Sequence, residues 1–179
     1  MSQNTFITNQ EKLLAEIING ILPKTQAVDM LVGYFYYSGY NLLSEGLADK
    51  NIRILVGLDV DTQITKHIRE INALTSSQQS RGQIREDYFA QFVKLFNESE
   101  KLASFKLFYE KIKNGTLEIR KTEDPCHAKL YIFEYSDAVN EGGELPGSVI
   151  TGSSNLSYAG LAGRIEINAR FNDKQTFVD

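Results

Sequence analysis

The chain is organised around residues 127–155, which read HAKLYIFEYSDAVNEGGELPGSVITGSSN. His127 and Lys129 stand two positions apart, so on a β-strand both side chains project from the same face. The apolar residues among and after them favour such a strand: Ala128, Leu130, Ile132 and Phe133. The pattern therefore predicts that a histidine and a lysine face one pocket.

A second strand is predicted at residues 148–151, and it leads into the turn Gly152-Ser153-Ser154-Asn155. The small and polar residues of this turn allow N–H groups to approach an anion closely, and a phosphate fits that description. Alternation over residues 164–171 predicts a third strand with its polar side chains on one face. If this strand lies beside the first, Glu166 accepts a hydrogen bond from the His127 ring and fixes its tautomer.

This arrangement resembles the signature of the phospholipase D superfamily, which is His-x-Lys, an acidic residue, Gly-Ser-x-Asn and a downstream Glu. The signature falls here on His127, Lys129, Gly152, Ser153, Asn155 and Glu166. Residues 152–161, GSSNLSYAGL, most resemble the nuclease-like branch, which includes domains attached to bacterial helicases and restriction enzymes. The usual Asp of the family is Glu134 here, and the long connection to Gly152 is expected to form a loop that protrudes from a hairpin.

The resemblance implies a metal-independent phosphodiesterase that cleaves nucleic acid, with DNA the expected substrate, through a phosphohistidine and without a cofactor. Single-motif members of the family pair as homodimers, so one His127 is implied as the nucleophile and that of a second copy as the general acid. The resemblance assigns the other residues to the same site: Lys129 and Asn155 to the nonbridging oxygens, Ser153 and Gly152 to the phosphate-binding turn, and Glu166 to orientation of the imidazole. Ser154, the variable position of the signature, is expected to bind phosphate because it belongs to the same small, polar turn.

Composition places the chain among globular proteins. Its 179 residues are 42% apolar, which is enough for a sizeable core in a single domain. No apolar run approaches about 18 residues and no charged-then-apolar leader is visible, so we predict neither a membrane span nor a secretory signal. A cytoplasmic protein is the default expectation. We expect residues 1–179 to form one domain that belongs to a longer polypeptide.

Charge and metal-ligand content narrow the function classes further. The net charge is −4, which is the wrong sign for a protein that coats nucleic acid, although residues 101–121 hold six basic and two acidic side chains. That segment either meets a phosphate backbone or forms a solvated helix face. The chain has one cysteine, Cys126, and two histidines, His67 and His127, so neither a zinc site nor a two-metal nuclease site is expected. His67 has no paired acid or nucleophile near it in sequence and is expected to be structural or exposed.

The remaining sequence predicts the scaffold. A helix is expected near residues 9–20, a strand at 27–36, a crossover helix at 38–48 and a strand at 51–58, which together form a βαβ unit. Helical spacing also appears at residues 64–71, 88–96 and 102–108, and a short strand is predicted at 117–121. The fold class is therefore α/β, with a mixed, mostly parallel β-sheet flanked by helices, like half of a phospholipase D nuclease fold.

Two features leave alternatives open. The aromatic group Tyr34, Phe35, Tyr36, Tyr37 and Tyr40 lies at the carboxyl end of a strand, where it either packs into the core or stacks on bases. For the whole chain, one alternative keeps the fold without turnover, as a DNA-docking or dimerisation module of a helicase. A lipid phosphodiesterase is disfavoured because no amphipathic membrane-binding helix is visible, so no membrane partner is expected.

Overall fold

The computed structural model describes residues 5–60, 99–140 and 145–178. It contains seven strands: β1 Thr5–Thr8, β2 Thr25–Phe35, β3 Asn51–Val60, β4 Leu117–Lys121, β5 Leu130–Tyr135, β6 Gly147–Gly152 and β7 Ile167–Phe171. The described helices are α1 Leu14–Ile21, α2 Tyr37–Leu43, α3 Ser99–Lys113 and α4 Lys174–Val178, with a single π-helical turn at Ala159–Gly163. The strands form one sheet in the order β1-β7-β6-β5-β2-β3-β4.

The fold is α/β with a mixed sheet, as predicted, but the expectation that the sheet is mostly parallel was wrong. Only the β2–β3 and β3–β4 pairs are parallel, whereas the other four neighbouring pairs are antiparallel. The physical reason is the length of the later connections. A parallel crossover needs about a dozen residues or more, usually with a helix, whereas the segment between β4 and β5 has only eight residues. The β5–β6 pair is the predicted hairpin with its long connection.

The sequence pattern located the βαβ unit well. The predicted strands at residues 27–36, 51–58 and 117–121 correspond to β2, β3 and β4, and the helical pattern at 102–108 lies inside α3. The first helix starts later than predicted, because the Asn9 side chain accepts a hydrogen bond from the Leu14 N–H (2.9 Å) and so belongs to the preceding turn. The helical patterns at 64–71 and 88–96, together with His67, lie outside the described residues.

The core lies between one face of the sheet and helices α1, α2 and α3. Its main cluster includes alternate residues of β2 and the inward faces of all three helices. Aromatic rings fill the region beneath the carboxyl end of β2, where the Tyr40 and Phe108 centroids lie 4.9 Å apart and the Phe35 and Phe108 rings stack at 6.4 Å. Packing is therefore the role of Phe35, Tyr37 and Tyr40. This rigid floor fixes the strand end on which the candidate site is built.

The basic segment at residues 101–121 is partly committed to structure. The buried Lys111 Nζ donates to the carbonyl oxygens of Ala48 and Lys50, at 3.1 and 2.5 Å, and so ties α3 to the segment before β3. Burial lowers the pKa of Lys111. Within the described ranges, Arg120 pairs with Glu118, which removes a further charge from any continuous basic patch. Of the described helices, none is long and apolar enough to cross a membrane.

Candidate active site

The predicted site residues gather where the parallel strands end. The segment between β4 and β5 passes over β3, and the Cys126 N–H donates to the Gly57 carbonyl at 3.1 Å. A side chain at Gly57 would collide with the Cys126 carbonyl, so only a glycine allows this close approach. The crossing places His127 at the carboxyl end of β2, which is where ligands of α/β sheets usually bind.

His127 and Asn155 meet above Gly33 in β2. A Cβ atom at Gly33 would lie 2.9 Å from the His127 Cδ2 and 3.2 Å from the Asn155 Oδ1, so both side chains rest on the space that glycine leaves. The Asn155 Oδ1 accepts the Tyr34 N–H at 2.9 Å, and this bond holds the carboxamide in place. The Tyr34 ring meets the exposed His127 ring edge-on, with centroids 6.3 Å apart. An imidazole and a carboxamide therefore lie side by side although they are 28 positions apart in sequence.

Lys129 supplies the positive charge behind the histidine. The residue is only 5% exposed, and its Nζ donates to the His127 carbonyl oxygen at 2.7 Å. The Lys129 carbonyl accepts the Thr151 hydroxyl at 2.9 Å, which joins the start of β5 to the end of β6. Burial lowers the pKa of the Lys129 ammonium, and the nearby negative charge of Glu166 partly opposes this effect. The cation is therefore fixed in position and poorly hydrated, which strengthens its attraction for an anion.

The turn after β6 is held against the start of β7. The Ser153 N–H donates to the Ile167 carbonyl at 3.0 Å, and the Ser153 Oγ accepts the Ile167 N–H at 3.1 Å. The Ser153 hydroxyl also donates a short hydrogen bond to the Glu166 carboxylate. At Gly152 an added Cβ would collide with the Ile167 carbonyl, so glycine is required for this contact. These bonds fix the turn that leads to Asn155.

The structure does not place the Ser154 side chain in the phosphate-binding turn, where the sequence predicted it. Ser154 is fully buried, and its hydroxyl accepts a hydrogen bond from the Asn168 Nδ2 at 2.9 Å. Its carbonyl accepts the Tyr131 hydroxyl at 2.9 Å. The reason is alternation: in the extended segment after β6, Ser153 and Ser154 point in opposite directions. Ser154 therefore anchors the turn to the core.

Glu166 also differs in position from the expectation. The strand predicted at residues 164–171 begins only at Ile167, one residue after Glu166, and β7 lies beside β6 and β1, so β6 separates β7 from the strand that follows His127. Across the described ranges, the hydrogen bonds of the Glu166 carboxylate include the one from Ser153 and none from the His127 ring. Orientation of the imidazole by Glu166 remains a prediction, and the negative charge of Glu166 raises the pKa of Lys129 against the effect of burial.

Gly33 and Asn168 were not predicted as site residues, and Tyr34 was predicted only as part of an aromatic group that packs or stacks on bases. Gly33 makes room for two functional side chains, Tyr34 contacts the His127 ring and positions Asn155, and Asn168 anchors the turn through Ser154. One signal was available for Gly33, because a glycine within a run of strand-forming residues often marks a close approach by another group. A polar residue at an inward position of a strand, such as Asn168, is a weaker signal.

Other described regions are less suited to catalysis. No group of three or more His, Cys, Asp and Glu side chains within the described ranges has the arrangement of a metal site. A groove of about 450 Å³ lies on the face of the sheet opposite the core helices, beside the ion pair of Asp29 and Arg53. Its lining includes Leu31, Leu55 and Ile132. This groove contains neither an imidazole nor a thiol. The cleft at His127 is therefore the candidate active site.

Comparisons with known proteins give matches in structure only. No protein-family model matches the sequence, and no curated protein matches it significantly. The structure is similar to that of Nuc from Salmonella typhimurium, described as a phospholipase D family member, with 13% identity over 99% of this chain and 90% of that chain and a TM-score of 0.49. NucT from Helicobacter pylori gives 12% identity, the same two coverages and a TM-score of 0.49. A mutant of yeast tyrosyl-DNA phosphodiesterase gives 11% identity over 94% of this chain and 32% of that chain, with a TM-score of 0.47.

Proposed function

We propose that this chain is a metal-independent phosphodiesterase that cleaves nucleic acid, with DNA as the expected substrate, through a phosphohistidine on His127. The observation that carries the proposal is the meeting of His127 and Asn155 above Gly33, with the ammonium of Lys129 fixed behind them. Phosphodiester cleavage needs a nucleophile and donors for the phosphoryl oxygens, and these three side chains supply them. The resemblance of residues 152–161 to the nuclease-like branch of the family supports a role in a helicase or restriction system.

The chemical steps follow from the properties of imidazole. The neutral His127 ring attacks phosphorus, so that a P–N bond forms while the P–O bond to the leaving group breaks. The leaving oxygen takes a proton from a second, protonated imidazole. That imidazole, now neutral, removes a proton from water, whose oxygen attacks the phosphohistidine and releases the phosphomonoester. Lys129 and Asn155 stabilise the charge on the nonbridging oxygens in both steps, and Ser153 holds the turn beside them.

The second imidazole belongs, in this proposal, to another copy of the chain. His127 is the only histidine within the described residues, and each cycle needs a nucleophile and a separate proton donor. A two-fold contact brings two identical surfaces together, so it supplies a second His127, Lys129 and Asn155 to the same phosphate. The exposure of the His127 ring supports this arrangement, since a shared site requires each ring to be accessible to its twin. The proposed active species is a homodimer.

A substrate panel in EDTA tests the reaction class. The purified chain is incubated with single-stranded DNA, duplex DNA and phosphatidylcholine in the presence of excess EDTA, and the products are separated. We expect cleavage of DNA, undiminished by EDTA, and no release of choline. Absolute dependence on added Mg²⁺ would contradict the proposed chemistry. DNA that is bound but remains uncut would instead support the alternative function, a DNA-docking or dimerisation module of a helicase.

Subunit mixing tests the shared site. Wild-type chains and H127N chains are co-refolded at constant total protein, and activity is measured against the wild-type fraction. If each site needs two intact histidines, activity follows the square of that fraction and falls to about one quarter at equal mixing, because only about one dimer in four is intact. A linear decline to about one half would show independent subunits. Mixing with H67N chains is the matched control and should leave activity unchanged.

A further inference from the structure

The tyrosines around the end of β2 separate into two groups. Tyr37 and Tyr40 are buried in the aromatic core, but Tyr36 is 43% exposed although it adjoins them in sequence. Its backbone is still extended, with φ −125° and ψ 137°, and Phe35 before it is fully buried. Because successive side chains of an extended segment alternate, Tyr34 and Tyr36 project away from the core. Packing therefore explains Tyr37 and Tyr40 and leaves Tyr36 without that role.

Tyr36 lies directly beside the candidate active site. Its N–H donates to the Leu156 carbonyl at 2.9 Å, so it is fixed to the residue that follows Asn155. Tyr34, two residues earlier, touches the His127 ring. Two residues of extended chain span about 7 Å, which is close to the separation of neighbouring nucleotides in a stretched single strand. The Tyr36 backbone therefore lies about one nucleotide spacing, about 7 Å, along the chain from the backbone of the tyrosine that contacts His127.

A second exposed ring lies on the neighbouring segment. Tyr158 is 56% exposed, three residues beyond Asn155, and its N–H donates to the Ser38 hydroxyl at 3.2 Å. That bond ties it to the start of α2, two residues after Tyr36. An added Cβ at Gly163 would lie 3.2 Å from two carbons of the Tyr158 ring, so part of the ring packs against this glycine. The two exposed tyrosines therefore lie on two segments that hydrogen bonds hold together, and both segments adjoin the turn that carries Asn155.

We propose that Tyr36 and Tyr158 stack on unpaired bases next to the scissile phosphate, which makes single-stranded nucleic acid the substrate. This proposal rests on the phosphodiesterase function proposed above. Base stacking on an aromatic ring contributes about 1–3 kcal/mol per base and does not depend on sequence. The chain carries a net charge of −4, so general attraction to phosphates is weak and stacking becomes the larger source of affinity. A duplex buries its base faces and cannot use these rings.

The test measures binding separately from cleavage. In an H127N background, fluorescence anisotropy gives the Kd of a 12-nucleotide single-stranded oligodeoxynucleotide, and 2-aminopurine placed beside the target phosphate reports stacking. We expect Y36A and Y158A each to raise the Kd about tenfold and to restore 2-aminopurine fluorescence, whereas Y36F and Y158F retain both properties. Binding of the same sequence as a duplex, or with abasic sugars at those positions, should not respond to the tyrosine substitutions.

A control variant and a second assay separate base stacking from phosphodiesterase activity. F6A removes another exposed ring, 81% accessible on the edge strand β1, and should leave the Kd unchanged. Tyrosine-to-alanine variants that bind single strands as tightly as the parent would overturn stacking, and so would equal binding of base-containing and abasic strands. Hydrolysis of bis(p-nitrophenyl) phosphate, which has no base to stack, measures phosphodiesterase activity alone in chains with intact His127. If only the stacking proposal is wrong, all these chains hydrolyse this substrate. If the proposed function is wrong, none of them does.

Discussion

H127N is expected to lose phosphodiester hydrolysis by a factor of at least about 10⁴, because no other group on the described surface of the cleft replaces its ring nitrogen as nucleophile and, from a second copy, as proton donor. The substitution affects both roles at once in a shared site, so the loss should exceed that of any other single change. Initial rates on single-stranded DNA and on bis(p-nitrophenyl) phosphate, measured in EDTA, give the factor directly. The His127 ring is exposed, so the free energy of unfolding should change little.

Two controls separate chemistry from folding. H67N removes the only other imidazole in the sequence and should keep wild-type rates, since the proposal gives His67 no part in the reaction. Equal melting temperatures for wild type and H127N would confirm that the cleft itself is intact. Wild-type turnover in H127N, or loss of turnover in H67N, would contradict the assignment of His127 as the nucleophile. Trapping a ³²P-labelled, acid-labile phosphoenzyme in the wild type and not in H127N would identify the covalent intermediate.

The sequence was most informative where one physical pattern governed the structure. Apolar residues identified β2 and β3, because the positions of both strands that face the helices are apolar in regular alternation. Pair direction was harder to predict, since nothing in the apolar pattern of β5 distinguishes a parallel from an antiparallel neighbour. The short connection over β3, which depends on Gly57, decided that direction. The edge strand β1 was also missed, because four residues are too few for a clear alternation.

In the candidate site, too, local patterns were predictive and the relative positions of strands were not. The spacing of His127 and Lys129 and the glycine-serine turn predicted residues that the structure brings to one strand end. Local alternation alone would have turned Ser154 inward, yet its place in the small, polar turn put it in the predicted phosphate-binding set. The position of Glu166 depends on the order of the strands, which sequence spacing does not encode. In the structure its carboxylate accepts a hydrogen bond from Ser153. A glycine inside a strand signals a close approach at Gly33, but the sequence does not tell which residues approach it.

K129M should reduce hydrolysis by about 10²–10³-fold, the usual effect of removing one donor to a developing oxyanion. Methionine has nearly the same length and suits a buried position, so the fold should persist while the charge and the hydrogen bond to the His127 carbonyl disappear. Since the cation acts on the charge that develops in the transition state, kcat should fall more than KM rises. Steady-state kinetics on single-stranded DNA, with thermal unfolding as the folding control, test this expectation.

The pH profile adds a readout that a merely structural lysine would not affect. On bis(p-nitrophenyl) phosphate the nitrophenolate leaves without taking a proton from the second imidazole, so in the alkaline range activity depends on the protonated ammonium, which is present below its pKa and lost as pH rises through it. Because burial lowers the pKa of Lys129, the alkaline decline of kcat should begin below the pH expected for an exposed lysine. In K129R the side chain stays charged throughout this range, so the variant should keep part of its activity and lose the alkaline decline. An alkaline decline that is the same in K129R and wild type would show that Lys129 does not titrate in the reaction, and would restrict it to holding the His127 backbone.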